Sequence, residues 1–211
     1  MGKMTNVLQF STKPPPKFGF ERVKKRTTSP TGKKGQLNLF AGSGAQVLKL
    51  PAGRSPFEEA LLLDERGDER AVEVYRQAIA EGDDAADAYC NLGILQSREG
   101  NTAKAFDSFT KSLENSPRHF ESHYNLGNLY FDAGDLKLAR MHYEMALEVD
   151  PDFPNLYFNL GLVLASLEEL KPARDAFLRY QRMAPAEEAT KADDVLESLR
   201  RSLEAKTAQK R

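Results

Sequence analysis

A repeat period of about 34 residues constrains the fold of this chain more than any other feature of its sequence. Leu92-Gly93 recurs as Leu126-Gly127 and again as Leu160-Gly161. The same step relates three further sets: Ala105, Ala139 and Ala173; Phe109, Tyr143 and Phe177; and Pro117, Pro151 and Pro185. Positions that stay in phase over three copies indicate an array of repeated structural units.

Each unit has the pattern of two antiparallel helices. In the unit from Ala86, spacings of three and four residues put Leu92 and Gly93 on one helical face, and Ala105 and Phe109 on another. The dipeptide Gly100-Asn101 lies between them and predicts a turn. Glycine ends the first helix in a left-handed conformation, and asparagine begins the second by accepting a backbone N–H bond.

These features resemble the tetratricopeptide repeat family, whose units carry Leu-Gly in the first helix, Ala-x3-Phe in the second and a late Pro. The resemblance covers residues 52–185, divided into a degenerate first unit 52–85 and the units 86–119, 120–153 and 154–185. It implies an all-α fold, a right-handed superhelix (a TPR solenoid) of about four helix pairs. We expect a C-terminal capping helix over 186–206, with an apolar stripe made by Val195, Leu196, Leu199 and Leu203.

The resemblance also implies a candidate site, because the first helix of each pair forms the concave wall of such a superhelix. One asparagine per unit precedes the Leu-Gly pair: Asn91, Asn125 and Asn159. In superhelical members of the family, an equivalent asparagine ladder holds the backbone of an extended peptide. The alternative is that asparagine recurs there as repeat consensus, with no ligand.

Other side chains are expected to line the same groove: Tyr124, Asn128, Phe158, Asp87 and Glu121. The two aromatic rings offer anchorage for a partner peptide. The two acids stand where a carboxylate-binding groove needs bases, so we expect a partner that is neutral to basic.

The N-terminal region differs in composition from the rest of the chain. Residues 1–50 have a formal charge of +9, whereas the remainder has −10. No helical period is present, so we predict a disordered basic tail and linker over 1–51. Three interpretations are open: a solubilising tail, nucleic-acid contact through residues 1–40, or a tail that lies on the acidic body and competes with basic partners.

A short string in this tail suggests an alternative function. Gln36, Leu37, Leu39 and Phe40 form part of Gln-Leu-Asn-Leu-Phe. This string resembles the peptide by which bacterial replication and repair proteins dock on the DNA sliding clamp. It is consistent with a DNA-associated or clamp-tethered regulatory factor, or with an apolar spot that docks on the protein's own first helix.

Catalytic patterns are lacking in the sequence, and so are those of cofactor and metal sites. His119 and His123 have i, i+4 spacing without the carboxylate of a metalloprotease motif, and Cys90 has no adjacent histidine or base. No apolar stretch is long enough to cross a membrane. We therefore expect a cytoplasmic, non-enzymatic interaction scaffold without cofactors, monomeric or weakly homo-oligomeric.

Overall fold

A computed structural model of the protein describes residues 15–24 and 54–208. Eight helices of the repeat region follow in order: α1 Pro56–Glu65, α2 Ala71–Glu81, α3 Ala85–Arg98, α4 Thr102–Asn115, α5 Phe120–Asp132, α6 Leu136–Val149, α7 Pro154–Ser166 and α8 Leu170–Met183. They are followed by α9 Ala186–Ala189, a 3-10 turn Thr190–Ala192 and α10 Asp193–Ala208. Within the described ranges, none of these helices is long and apolar enough to span a membrane.

The helices of the repeat region pack as four consecutive pairs, α1 with α2 through α7 with α8, and each pair stacks on the next. Short turns join the two helices of a pair and make them antiparallel. The first helices α1, α3, α5 and α7 together form one wall of the stack. The predicted all-α solenoid of about four helix pairs is confirmed.

The turn inside each pair depends on one residue in the left-handed conformation. Gly100 and Gly134 have φ of +78° and +80°, as predicted for helix-ending glycines. In the last pair Glu168 takes this conformation, with φ of +61°. Asp135 caps α6 by accepting the Leu138 N–H at 3.1 Å.

The corresponding cap predicted at Asn101 is wrong, because its side chain makes no capping bond. The backbone holds that turn instead. The Asn101 N–H donates to the Gln96 carbonyl at 2.8 Å, and this bond does not require an asparagine side chain.

One aromatic ring per pair fills the space between the two helices. These rings belong to the second helices and are fully buried: Tyr75, Phe109, Tyr143 and Phe177. A Cβ on Gly127 would lie 2.5 Å from two ring carbons of Tyr143, which is closer than real atoms approach. Glycine is therefore required there by the close approach of the opposite ring.

The C-terminal region covers the last pair, but not with one continuous helix. The predicted helix over 186–206 is divided into α9, the 3-10 turn and α10. Val195 and Leu199 of α10 are buried against α8, as the apolar stripe predicted. The Tyr180 hydroxyl donates to the Glu188 carbonyl at 2.8 Å and thereby ties α9 to α8.

Residues 15–24, which we call the resident segment, lie across the first helices of the stack without forming a helix or strand. The prediction of disorder over 1–51 is wrong for these residues. Their backbone groups form hydrogen bonds with residues 68 to 141 positions away in the sequence. No local sequence pattern could therefore predict that these residues have a defined structure. The placement agrees with the interpretation in which the basic tail lies on the acidic body.

Candidate functional site

The groove is built around the asparagine ladder of α3, α5 and α7. Its three members are fully buried: Asn91, Asn125 and Asn159. Each side-chain oxygen accepts the backbone N–H of one residue of the resident segment, and each side-chain nitrogen donates to the carbonyl of that same residue. The residues bound are Val23 by Asn91 (3.0 and 3.1 Å), Glu21 by Asn125 (2.8 and 2.8 Å) and Phe18 by Asn159 (2.8 and 3.1 Å).

The resident segment runs opposite to the order of the repeats, since Phe18 lies on α7 and Val23 on α3. Five residues span about 17 Å when extended but only about 7.5 Å as a helix. Between α3 and α7 the segment crosses two spacings between neighbouring first helices, each about 8–10 Å. Only the extended form is long enough to cross both. The ladder therefore selects an extended backbone.

A fourth amide connects the ladder to the packing of a helix pair. The Asn128 nitrogen donates to the Gly19 carbonyl at 2.9 Å. Its oxygen accepts the Tyr143 hydroxyl at 2.7 Å and the Asn159 nitrogen at 2.9 Å. Asn128 is buried, and the position of its amide depends on the ring that packs against Gly127.

Aromatic rings and a cation enclose one end of the resident segment. Phe18 packs edge-on against Phe158, with ring centroids 5.2 Å apart, and against Tyr180 at 5.8 Å. The Lys191 ammonium lies 4.6 Å from the centroid of the Phe18 ring, within the range of a cation–π interaction. Phe158 thus contacts an aromatic side chain in the groove, whereas Tyr180 and Lys191 were not predicted as site residues.

A buried carboxylate lies at the other end of the groove. Asp64 of α1 pairs with Arg22 at 2.8 Å and accepts the Tyr75 hydroxyl at 3.2 Å, with the Arg98 guanidinium at 3.8 Å. Burial raises the pKa of Asp64 above its ordinary value, and the nearby Arg22 opposes that rise. Val23, the next residue of the segment, is fully buried.

Asp64 was missed by sequence reasoning, although a signal was available. Asp64, Arg98 and Asp132 stand one repeat apart, at the end of each first helix. Asp132 also pairs with the resident segment, through Lys17 at 3.2 Å. Because a charged residue recurs at the same position of each repeat unit, next to the ladder, the sequence could have indicated that this position faces the groove.

The remaining predicted groove residues have other contacts. Tyr124 is buried, and its hydroxyl accepts the Asn159 amide at 3.0 Å. Asp87 accepts the His119 Nε2–H at 2.7 Å, and a Glu121 oxygen lies 3.6 Å from His119 Nδ1. The structure thus places Tyr124 behind the ladder and gathers the two acids around one histidine.

His123 and His142 form a pair of neutral rings joined through Nδ1 atoms at 3.1 Å. Because His123 Nε2 must donate to the Pro117 carbonyl at 3.0 Å, its Nδ1 accepts and His142 Nδ1–H donates. Burial lowers the pKa of His142 to about 4, and the neighbouring His123 adds to that effect. Burial also lowers the pKa of His123.

Metal-binding arrangements are absent from residues 15–24 and 54–208. No cluster of three or more His, Cys, Asp and Glu side chains in these ranges could hold a metal ion. Cys90 is fully buried, and burial raises the pKa of its thiol. Its side chain therefore packs as a small residue next to the Asn125 amide, 3.5 Å away.

The proposed clamp-binding string, from Gln36 to Phe40, lies outside the described residues. The clamp interpretation depends on that string, and the nucleic-acid interpretation depends on residues 1–40, of which only residues 15–24 are described, so both stay predictions. Inside the resident segment, Lys17 and Arg22 are both paired with groove carboxylates.

Helix pairs in one constant repeat phase, with a groove along their first helices, define an α-helical repeat protein. The chain belongs to the tetratricopeptide repeat family. A model described as TPR repeat matches residues 127–167, and two described as tetratricopeptide repeat match residues 108–141 and 57–120. The resemblance inferred from the sequence is thereby confirmed.

Among solved structures, the first TPR of Spaghetti (RPAP3), bound to HSP90 peptide SRMEEVD, is similar to this chain. The TM-score is 0.52 at 19% sequence identity, and the match covers 56% of this chain and 92% of that chain. At this identity the likeness shows the fold alone. No curated protein matches the sequence at a significant level.

Proposed function

We propose that this protein is a non-enzymatic scaffold that binds an extended segment of a partner protein in the groove. The observation that carries the proposal is the ladder, in which three asparagines each bond both backbone polar groups of one residue. Proteins built from this repeat are in general interaction scaffolds without catalysis.

The ladder is suited to a peptide because it recognises backbone rather than side chains. Each bond contributes a net of about 0.5–1.5 kcal/mol, independent of the residue bound. Without a ligand, the buried amides would need water or another polar chain to satisfy them. No buried side-chain nitrogen or oxygen in the described part of the chain lacks a partner while the resident segment is in place.

The similar solved structure supports the proposal at the level of the fold. The Spaghetti TPR is itself bound to a peptide, whose sequence SRMEEVD is acidic. The resident segment is instead basic, with Lys17, Arg22 and Lys24 against one acid, Glu21. We propose a neutral to basic partner for the present groove.

A peptide-binding measurement on the full chain tests this function. Changing Phe18 and Val23 to Asp removes the apolar contacts of one partly buried and one fully buried side chain and releases the resident segment. A fluorescent peptide with the sequence of residues 15–24 is then titrated, and its anisotropy is recorded. We expect saturable binding, which Asn125→Ala in the same background weakens about tenfold or more because two backbone bonds are lost.

Asn115→Ala is the matched control. Asn115 lies at the exposed end of α4 and bonds only the Lys111 carbonyl among the hydrogen bonds described, at 2.8 Å. This variant should bind the peptide like its parent. Absence of binding by a folded, segment-released chain would contradict the proposed function.

A further inference from the structure

The backbone bonds of the ladder give the groove affinity but no preference for a sequence, so selectivity must come from the side chains at its two ends. We propose that the groove selects partner segments that carry an aromatic residue and, four positions later, a cation, and that the resident segment is a displaceable occupant with this pattern. The inference rests on the proposed function and specifies the partner.

The cation requirement follows from Asp64. Its carboxylate is buried and faces Arg22 at 2.8 Å, whereas the other guanidinium, from the largely exposed Arg98, is 3.8 Å away. A buried carboxylate that loses its main partner is strongly disfavoured. A segment without a cation at the position of Arg22 would impose that loss, so the groove discriminates against it.

The aromatic requirement follows from the opposite end of the groove. The Phe18 ring lies against Phe158 and Tyr180, with the Lys191 ammonium over its face. An aliphatic side chain could fill part of this space but offers no π face to the ammonium. Phe18 and Arg22 are held in register by the ladder between them.

Gly19 is not part of the pattern. A Cβ at this position would meet nothing within 4 Å. Asn128 binds the backbone carbonyl of residue 19, and this contact does not require the residue to be glycine. The position therefore tolerates other residues and serves as an internal control.

The resident segment has one unfavourable residue, Glu21. Burial raises the pKa of its carboxyl; the Lys24 ammonium, 4.0 Å away, opposes this rise, and the charge of Glu121 adds to it. A partner with a neutral residue at this position would avoid that repulsion. Such a partner can bind better than the resident segment.

A second copy of this chain is a poor candidate for the occupant. Its segment has the same sequence, whereas the chain's own segment is covalently attached through residues 25–53. Covalent linkage gives effective concentrations on the order of millimolar, far above usual protein concentrations. A different protein with a better-matched segment is therefore the expected partner.

The test uses the same full chain with Phe18→Asp and Val23→Asp, and labelled peptides that carry the sequence of residues 15–24 with single changes. We expect Arg22→Gln to weaken binding about 10- to 100-fold and Phe18→Leu about 3- to 10-fold. Gly19→Ala should bind unchanged. Glu21→Gln should bind more tightly, because a neutral amide is less costly to bury than a carboxylate.

Asp64→Asn in the protein supplies the second half of a double-mutant cycle. In this variant the loss of peptide affinity caused by Arg22→Gln should be about tenfold smaller than in the parent. That result would identify Asp64 as the residue that binds the cation. Asp107→Asn is the matched control. Asp107 lies on α4, is more than half exposed and pairs with Lys111 of the same helix at 2.7 Å, so its loss should leave peptide binding unchanged.

The outcomes separate the two proposals. If the peptide binds and Asn125→Ala removes binding, but Arg22→Gln and Phe18→Leu bind like the parent peptide, the selectivity is refuted and the proposed function stands. If no peptide binds a helical, segment-released chain, the proposed function itself fails. If the chain loses its helical circular dichroism when the segment is released, the segment is structural and not a displaceable occupant.

Discussion

Gly127→Ala should destabilise the protein because an added Cβ would lie 2.5 Å from two ring carbons of Tyr143. Overpacking of this kind costs about 1–3 kcal/mol, and this short approach belongs at the upper end. The ring cannot turn away freely, since the Tyr143 hydroxyl donates to Asn128 at 2.7 Å, and loss of that bond adds about 1 kcal/mol. Alanine returns about 1 kcal/mol through its helix propensity. The net loss is about 2–3 kcal/mol.

Gly93→Ala and Gly161→Ala are the matched controls. Their added Cβ atoms would lie 2.9 Å from the rings of Phe109 and Phe177, which have no hydroxyl to hold them in place. These rings can shift slightly, so both variants should stay within about 1 kcal/mol of the parent. Urea unfolding followed by circular dichroism measures all three, with the slope m compared before midpoints are converted into free energies. Equal destabilisation by the three substitutions would refute the role assigned to the Tyr143 hydroxyl.

Three further outcomes are expected. Glu168→Gly should stabilise the protein by about 0.5–1 kcal/mol in urea unfolding, because Glu168 has φ of +61° where the other pairs use glycine, while Glu168→Ala should not. Acid should destabilise the fold: the pKa of His142 is lowered from 6.5 to about 4 in the folded state, so the stability held above pH 6.5 is lost progressively between pH 6.5 and 4. The full shift corresponds to about 3 kcal/mol, reduced to about 2 by residual solvent screening, and the His142→Gln variant should lose less stability over that interval. Cys90 should not react with a water-soluble disulfide reagent at pH 8 until urea unfolds the chain, because its thiol is buried and the pKa of that thiol is raised; rapid reaction of the folded protein would contradict this placement.

The fold was predictable because the same packing contacts recur in several repeat units and require the same residue types at the same positions each time. Gly127 and Tyr143 are in contact, and both belong to positions that recur once in every repeat unit. The ladder residues were found for the same reason, as one asparagine per unit on the first helix. The repeat phase therefore sufficed to predict the helices and to single out the recurring asparagines, whereas their place in the groove came from the resemblance to the family.

The occupant of the groove could not be predicted in the same way. The bonds between Phe18 and Asn159 join residues 141 positions apart, and the resident segment has no periodic pattern of its own. An extended chain that bonds to side chains rather than to a neighbouring strand shows neither the helical nor the alternating signal. Its basic composition suggested attraction to the acidic repeats but did not indicate which of its residues would bind which helix.

The resident segment also changes how the repeats depend on each other. In an array of stacked repeats each unit contacts only its neighbours, so stability is close to a sum over adjacent interfaces. Residues 15–24 contact α3, α5 and α7 at once and reach Asp64 in α1. When this segment is bound, separate units gain a common partner, and the opening of one unit weakens the hold on the others. An occupied groove therefore makes a modular array unfold as a more cooperative whole, and whatever displaces the segment inherits that role.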